Sequence, residues 1–202
     1  KPLTEAELEK IYETALDLLD RLGMGEVPDR LRKDLLTVGA KDNGEGRILF
    51  PPSLVEAAVD QAAKTFILHG RDDSRSIEVG GNRVYFGTGG AAVQTLDLDN
   101  GRYRPSTLED LHNFTRLQDK LANVSWYTRC CIATDVPDNF DLDVNTAYAL
   151  LKNTTKPTAT AFTIADHVAP IVEMLDIAAC GAGAFAKRPF LKAHISPVIS
   201  PM

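Results

Sequence analysis

The run Phe190-Leu191-Lys192-Ala193-His194-Ile195-Ser196-Pro197 places a polar side chain at every second position. In an extended strand, this alternation puts Lys192, His194 and Ser196 on one face and Ala193 and Ile195 on the other. Three polar groups packed under a helix layer would be costly, so they are expected to point away from it. Lys192 lies deepest and suits a hydrogen-bonded structural role; a desolvated lysine there could also attack a carbonyl. His194 and Ser196 lie nearer the strand end and suit ligand binding. A second group is Gly87-Thr88-Gly89-Gly90, where glycine lets backbone approach a ligand closely. The competing reading there is a tight turn. Gly87 to Ala92 also fits the loose pattern G-x-G-x-x-A, but Val93 to Leu98 looks extended where a dinucleotide fingerprint needs a helix. Asp97 to Gly101 lacks the glycine spacing and closing glutamate of a calcium loop.

The cysteines are Cys130, Cys131 and Cys180. An odd number with one adjacent pair, and no metal-ligand spacing, reads as reduced thiols. Cys130 and Cys131 are expected to be buried rather than nucleophilic. His112 and His167 fall on helices as surface or satisfied residues, and His69 has no chemical context. Thr163 with Asp166 reads as a helix cap.

These residues need elements to hold them. Thr4 with Glu7, Ser53 with Glu56, and Thr107 with Asp110 have capping-box spacing and open helices. Leu8, Ile11, Ala15, Leu18, Leu19 and Leu22 form an apolar stripe on the first helix, which Gly23 stops. A second helix runs from about Pro28 to Val38. Residues 65–69 and 76–79 read as an antiparallel pair. Asn100-Gly101 marks a hairpin between two extended runs. Helices near 107–121, 141–152 and 165–180 then alternate with strands near 83–87, 124–132, 157–162 and 190–196. Such alternation implies neighbouring parallel strands covered by helices on one outer face. Residues 1–82 are expected to form a helical and hairpin accessory region, and 83–202 a four-stranded α/β unit. An open doubly wound sheet is the alternative architecture. The fourth strand has no helix after it, so the chain is expected to stop partway through a larger fold. It also starts without Met, which points to residues upstream.

Composition excludes several classes. Of 202 residues, 44% are hydrophobic and 25% charged, and the net charge is −6. That balance, with no basic cluster, argues against nucleic acid as a partner. No apolar run approaches the roughly 20 residues of a membrane span, and the N-terminus lacks a signal-peptide core. A cytoplasmic protein is expected.

The order of several motifs adds a family resemblance. Val84-Tyr85-Phe86-Gly87-Thr88-Gly89-Gly90 precedes Asp97-Leu98-Asp99-Asn100-Gly101-Arg102, then Arg104-Pro105-Ser106-Thr107-Leu108-Glu109-Asp110-Leu111. With Ala15 to Gly23, Phe50-Pro51-Pro52, Leu68 to Asp72, and Asn153 to Pro157, the chain resembles the N-terminal part of the trimethylamine methyltransferase family. That resemblance implies a (β/α)₈ TIM barrel, of which this chain would form the first half. It implies methyl transfer from trimethylamine, or from a quaternary amine such as glycine betaine, to a corrinoid protein. Cobalamin would arrive on that partner, with no cofactor or metal bound directly. A homo-oligomer is expected. The archetypal trimethylamine enzymes carry pyrrolysine in their C-terminal half, and no family catalytic residue maps onto these positions. Barrel ligands sit at the C-terminal ends of strands, which selects Thr88, Gly89, Tyr127, Phe162, His194 and Ser196 as substrate-binding candidates. A methylated ammonium is drawn to aromatic faces, so Tyr85, Phe86 and Trp126 join Tyr127 and Phe162; core packing competes for each ring. The alternatives are a Schiff-base lyase or aldolase using Lys192, and an inactive unit serving only binding or assembly.

Overall fold

Thr4 and Glu7 form the reciprocal cap their spacing forecast. The Thr4 hydroxyl accepts from Glu7 N at 3.3 Å, and Glu7 Oε2 accepts from Thr4 N at 2.7 Å. They open α1 (Glu5–Arg21). The computed structural model describes residues 2–194, in two compact units, 2–63 and 64–194. Ile195 and Ser196 lie outside the described residues.

The first unit adds α2 (Asp29–Thr37), β1 (Lys41–Asp42), β2 (Ile48–Leu49) and α3 (Pro52–Gln61). Its core is Val27, Ala40 and Ile48, packed by Met24, Leu35, Phe50 and Leu54. Leu8, Ile11, Leu18 and Leu22 of the α1 stripe are exposed, and α1 has no buried residue. One expectation fails here: Ser53 and Glu56 do not cap α3. The helix starts at Pro52 after Pro51, with no side-chain cap, because proline lacks the N–H that a cap would satisfy and its φ already suits a first helical turn.

The second unit starts with two antiparallel hairpins. β3 (Thr65–Leu68) pairs with β4 (Ile77–Gly80), as expected, and β5 (Gln94–Asp97) with β6 (Arg102–Pro105). The β5–β6 loop has four residues between Asp97 and Arg102, not a two-residue Asn-Gly turn. Side chains set it: Asp97 Oδ1 accepts from Asp99 N at 2.9 Å and Asn100 Oδ1 from Arg102 N at 2.8 Å.

The rest is a parallel β/α arrangement. α4 (Leu108–Lys120), β7 (Tyr127–Thr128), α5 (Asn139–Asn153), β8 (Thr158–Thr160), α6 (Val168–Ala178), the short α7 (Ala184–Lys187) and β9 (Leu191–Ala193) follow in order. The sheet order is β7-β8-β9, all parallel, so consecutive strands are neighbours. Each strand is shorter than its apolar run. The expected first strand, 83–87, is replaced by isolated parallel bridges, Gly87 to Trp126 and Ala92 to Cys131. Between them the Thr88 hydroxyl donates to Thr128 O at 2.7 Å and accepts from Thr128 N at 3.0 Å. A side chain thus fills the ladder positions that backbone would otherwise occupy. The expected helix 165–180 is a 3-10 turn, Ala165–His167, followed by α6.

Helices cover one face of this sheet. Tyr127 and Cys131 pack with Leu111 of α4 and Ala149 and Leu150 of α5. Leu191 and Phe190 pack with Ala147 and Leu151 of α5 and Ile171 and Leu175 of α6. The fold is α/β, and its described strands do not close into a barrel.

Candidate functional site

Strand parity separates two faces. Tyr127, Thr158 and Leu191 are register partners, and Tyr127 and Leu191 lie in the helix-side cores. Thr128, Ala159 and Lys192 are the next register row and so belong to the opposite, open face. Trp126 and His194 share that parity. The contact across it is direct: Lys192 Nζ lies 4.8 Å from the Trp126 ring centroid. Ala159 lies between them with only a methyl group, so the lysine can cross β8. On its other side the indole rests on Gly87, where any Cβ would overlap Trp126 Cε2, Cδ2 and Nε1. Gly87, Trp126 and Lys192 therefore form one layer through the open face.

Of the sequence-selected residues, Trp126, Lys192 and His194 share that face. The His194 imidazole is held below its ordinary pKa by burial, then by Lys192 and Arg129. Thr88 spends its hydroxyl on the Thr128 backbone. Gly89 lies in open space; an added Cβ would meet nothing within 4 Å. Tyr127 and Phe162 lie on the helix side instead. Tyr127 is fully buried on the helix side, its hydroxyl 3.2 Å from Cys130 Sγ. Phe162 packs on the α5–α6–β9 core. Odd and even strand positions face opposite ways, so neither ring is presented with Trp126. Ser196 lies outside the described residues. The lysine-nucleophile alternative meets a Lys192 already seated on an aromatic face. Among the exposed aromatics, Phe86 projects to solvent.

The thiols differ from one another. Cys131 is buried, Cys130 half-buried and Cys180 exposed. Hydrogen bonding from Cys131, then from the Tyr127 hydroxyl, lowers the Cys130 thiol to about 7, against an opposing push from burial. The same Cys130 contact, followed by burial, pushes Cys131 up.

A second constellation was not legible in the sequence. Asp143, fully buried on α5, accepts through Oδ2 from Thr163 N and Thr163 Oγ1, both at 2.8 Å, and lies 2.8 Å from His167 Nδ1. Thr163 therefore serves Asp143 and not the expected cap with Asp166. His167 is satisfied, as expected, and His112 Nδ1 likewise lies 2.7 Å from Asn153 Nδ2. Asp143 Oδ1 is buried without a partner, as is Thr128 Oγ1. No local signal marks this cluster, because Asp143 lies 20 positions from Thr163 and 24 from His167. Arg129 lies within electrostatic reach of Asp143, and burial lowers its pKa. Among the described residues, no group of three or more His, Cys, Asp or Glu is arranged to hold a metal ion.

A parallel sheet with helices on one face and an aromatic–lysine layer on the other is an α/β framework. Known proteins narrow the class. A family model described as trimethylamine methyltransferase (MTTB) matches residues 1–202, and the chain belongs to that family. It is 26% identical over 195 residues to trimethylamine methyltransferase MttB of Desulfitobacterium hafniense (strain DSM 10664 / DCB-2), covering 96% of this chain and 39% of that protein. It is also similar to glycine betaine methyltransferase of Desulfitobacterium hafniense (strain Y51), with 29% identity over 122 residues, covering 60% of this chain and 25% of that protein. The chain spans less than half the length of both curated relatives. No helix among the described residues is long and apolar enough to cross a membrane.

Proposed function

We propose that this protein is a cytoplasmic methyltransferase that takes a methyl group from a methylated amine and delivers it to a corrinoid protein. The observation that carries the reading is the family match along residues 1–202. The parallel β/α order of the second unit supports placing its strands in the first part of a (β/α)₈ barrel, where ligands sit at the strand C-termini. The donor is trimethylamine or a quaternary amine such as glycine betaine, the substrates in the names of the two relatives. The partner's corrinoid supplies the methyl acceptor.

This chain's own contribution is the open face. The Trp126 ring presents an electron-rich surface, already used by the Lys192 ammonium. The Asp143 hydrogen bonds hold the segment after β8 against α5, which steadies the end of the strand that lines the ligand space. In the test, purified protein is incubated with cob(I)alamin or a corrinoid protein and a panel of methylated amines. Methylcobalamin is followed by absorbance and the demethylated amine by NMR. Transfer from at least one amine is expected; transfer from none overturns the reading.

A further inference from the structure

We propose that Cys130 and Cys131 form a reversible dithiol–disulfide site, oxidised by a hydroperoxide, and that closing the disulfide releases the Ala92 segment from the sheet. The site is independent of the methyl-transfer reading. Its first support is where the two thiols point. Neighbouring residues of a regular strand face opposite ways. β7 ends at Thr128, however, and both cysteine side chains join the cluster of Leu111, Tyr127, Ala149 and Leu150. There the two thiols are hydrogen-bonded to each other, and the Tyr127 hydroxyl lies 3.2 Å from Cys130 Sγ. Exposure separates their roles. Cys130 is half-buried and reachable by a small oxidant, whereas Cys131 is buried beside it. Two hydrogen bonds favour the Cys130 thiolate, so Cys130 is the attacking sulfur.

The chemistry runs in two steps. The Cys130 sulfur attacks a peroxide oxygen; an S–O bond forms and the O–O bond breaks. The departing alkoxide takes the proton that the Cys130 thiol gave up and leaves as an alcohol, or as water from hydrogen peroxide. The Cys131 sulfur then attacks the Cys130 sulfur; the S–S bond forms and the S–O bond breaks. The departing hydroxide takes the Cys131 proton and leaves as water. The thiol pair is oxidised by two electrons and the peroxide is reduced by two. Cys131 suits the second step alone, because its proton is held first by the hydrogen bond to Cys130, which oxidation of Cys130 removes.

The second support is what the peptide between the thiols holds. Cys130 O accepts from Ala92 N at 3.0 Å, and Ile132 N donates to Ala92 O at 2.9 Å. This is the bridge that ties the segment before β5 to the residues after β7. Consecutive Cα atoms lie about 3.8 Å apart across a trans peptide, below the roughly 4.4–6.8 Å that disulfides ordinarily span. A ring between neighbours therefore closes only with a twist of the Cys130–Cys131 peptide, whose carbonyl is the one that Ala92 N bonds. Closure also draws Cys130 Sγ from the buried Tyr127 hydroxyl, which loses that partner. Both costs make the disulfide easily reduced, which suits a reversible site and not a structural crosslink.

The test treats the full-length protein with hydrogen peroxide, alkylates the remaining thiols and maps the product with trypsin. Cleavage after Arg129 and Lys152 gives a peptide, 130–152, that holds Cys130 and Cys131 and no other cysteine. Wild type and Cys180→Ser are both expected to yield this peptide unalkylated and two hydrogens lighter, with dithiothreitol restoring both thiols. Cys131→Ser is expected to stop at a Cys130 sulfenate that dimedone traps, and Cys130→Ser to leave Cys131 reduced. Hydrogen exchange of the Ala92 and Ile132 amides is expected to rise on oxidation of the wild type by about tenfold or more. If either single variant fails to fold, the maps of wild type and Cys180→Ser still decide. Two alkylated thiols in 130–152, at a peroxide dose that oxidises the exposed Cys180, overturn the proposal. So does a disulfide from either residue to Cys180, or a Cys130 sulfinate in place of the disulfide. A closed disulfide with unchanged exchange at Ala92 and Ile132 overturns the release.

Discussion

Replacing Gly87 with alanine tests the open-face layer through a single methyl group. Gly87 needs no unusual φ; what excludes a side chain is the Trp126 indole, three atoms of which an added Cβ would overlap. The backbone here is bridged to Trp126 and cannot retreat freely: Ser125 N donates to Phe86 O at 2.8 Å and Thr88 N to Trp126 O at 3.4 Å. The indole must therefore swing, and its swing removes the face on which Lys192 rests. Overpacking of this kind costs about 1–3 kcal/mol, and a partly desolvated cation–π contact adds about 1 kcal/mol. A total loss of roughly 2–4 kcal/mol is expected. Trp126 is the chain's single tryptophan, so urea unfolding followed by fluorescence reports the site and by circular dichroism the fold. The mutant should unfold at lower urea with an unchanged slope, and its native emission should shift to the red. Gly89→Ala is the control, since nothing lies within 4 Å of its added Cβ; its stability should change by less than about 1 kcal/mol. A Gly87→Ala protein with wild-type stability and emission would refute the layer.

Three further outcomes follow from other contacts. Asp143→Ala should destabilise the protein by about 3 kcal/mol, because it strips partners from Thr163 and His167 in a buried setting; chemical denaturation measures this, and Asp143→Asn should cost less. Asp110 is held at about 2 by the Arg104 guanidinium, against burial and with help from Thr107. Its folded value lies below its unfolded one, so its stabilisation is present above about pH 4 and lost as pH falls toward about 2; the stability gap between wild type and Asp110→Asn should narrow over that window. Cys130, lowered to about 7 by Cys131 and Tyr127, should be alkylated by iodoacetamide with a rate midpoint near that value. Cys131→Ala should move the midpoint upward, read by peptide mass spectrometry; an unmoved midpoint contradicts the hydrogen bond.

Local chemistry was the legible part of this chain. The Thr4–Glu7 and Thr107–Asp110 caps form as written, because each needs only four consecutive residues. The β3–β4 hairpin and the parallel order of β7, β8 and β9 follow from the change in hydrophobic period. What the sequence concealed depends on distant partners. Thr88 read as a turn residue beside a ligand, yet it acts as a substitute rung for Thr128, 40 positions away. Phe162 and Tyr127 read as available aromatics because type alone says nothing about which face a ring takes. Parity could have divided them from Trp126 once the strands were in register with Lys192. No such signal pointed to Asp143, whose partners arrive from the segment after the following strand.

The two ends of the sheet are held differently, and that difference bears on where chemistry can occur. At the N-terminal ends, basic side chains are spent on backbone carbonyls. Lys156 Nζ donates to Gln118 O at 2.7 Å and Leu121 O at 2.9 Å, closing the last turn of α4. Arg71 reaches Leu151 O at 2.8 Å near the end of α5, and Arg188 reaches Gly70 O at 2.7 Å. Each donor meets a carbonyl that a helix terminus or loop leaves open, so these charges are structural. Toward the C-terminal ends, His194 and Arg129 have no such carbonyls among the described residues. The same residue types therefore have different roles by position. The satisfied cations stabilise the base of the sheet, while Arg129 near its opposite end has Asp143 within electrostatic reach and no carbonyl partner among the described residues.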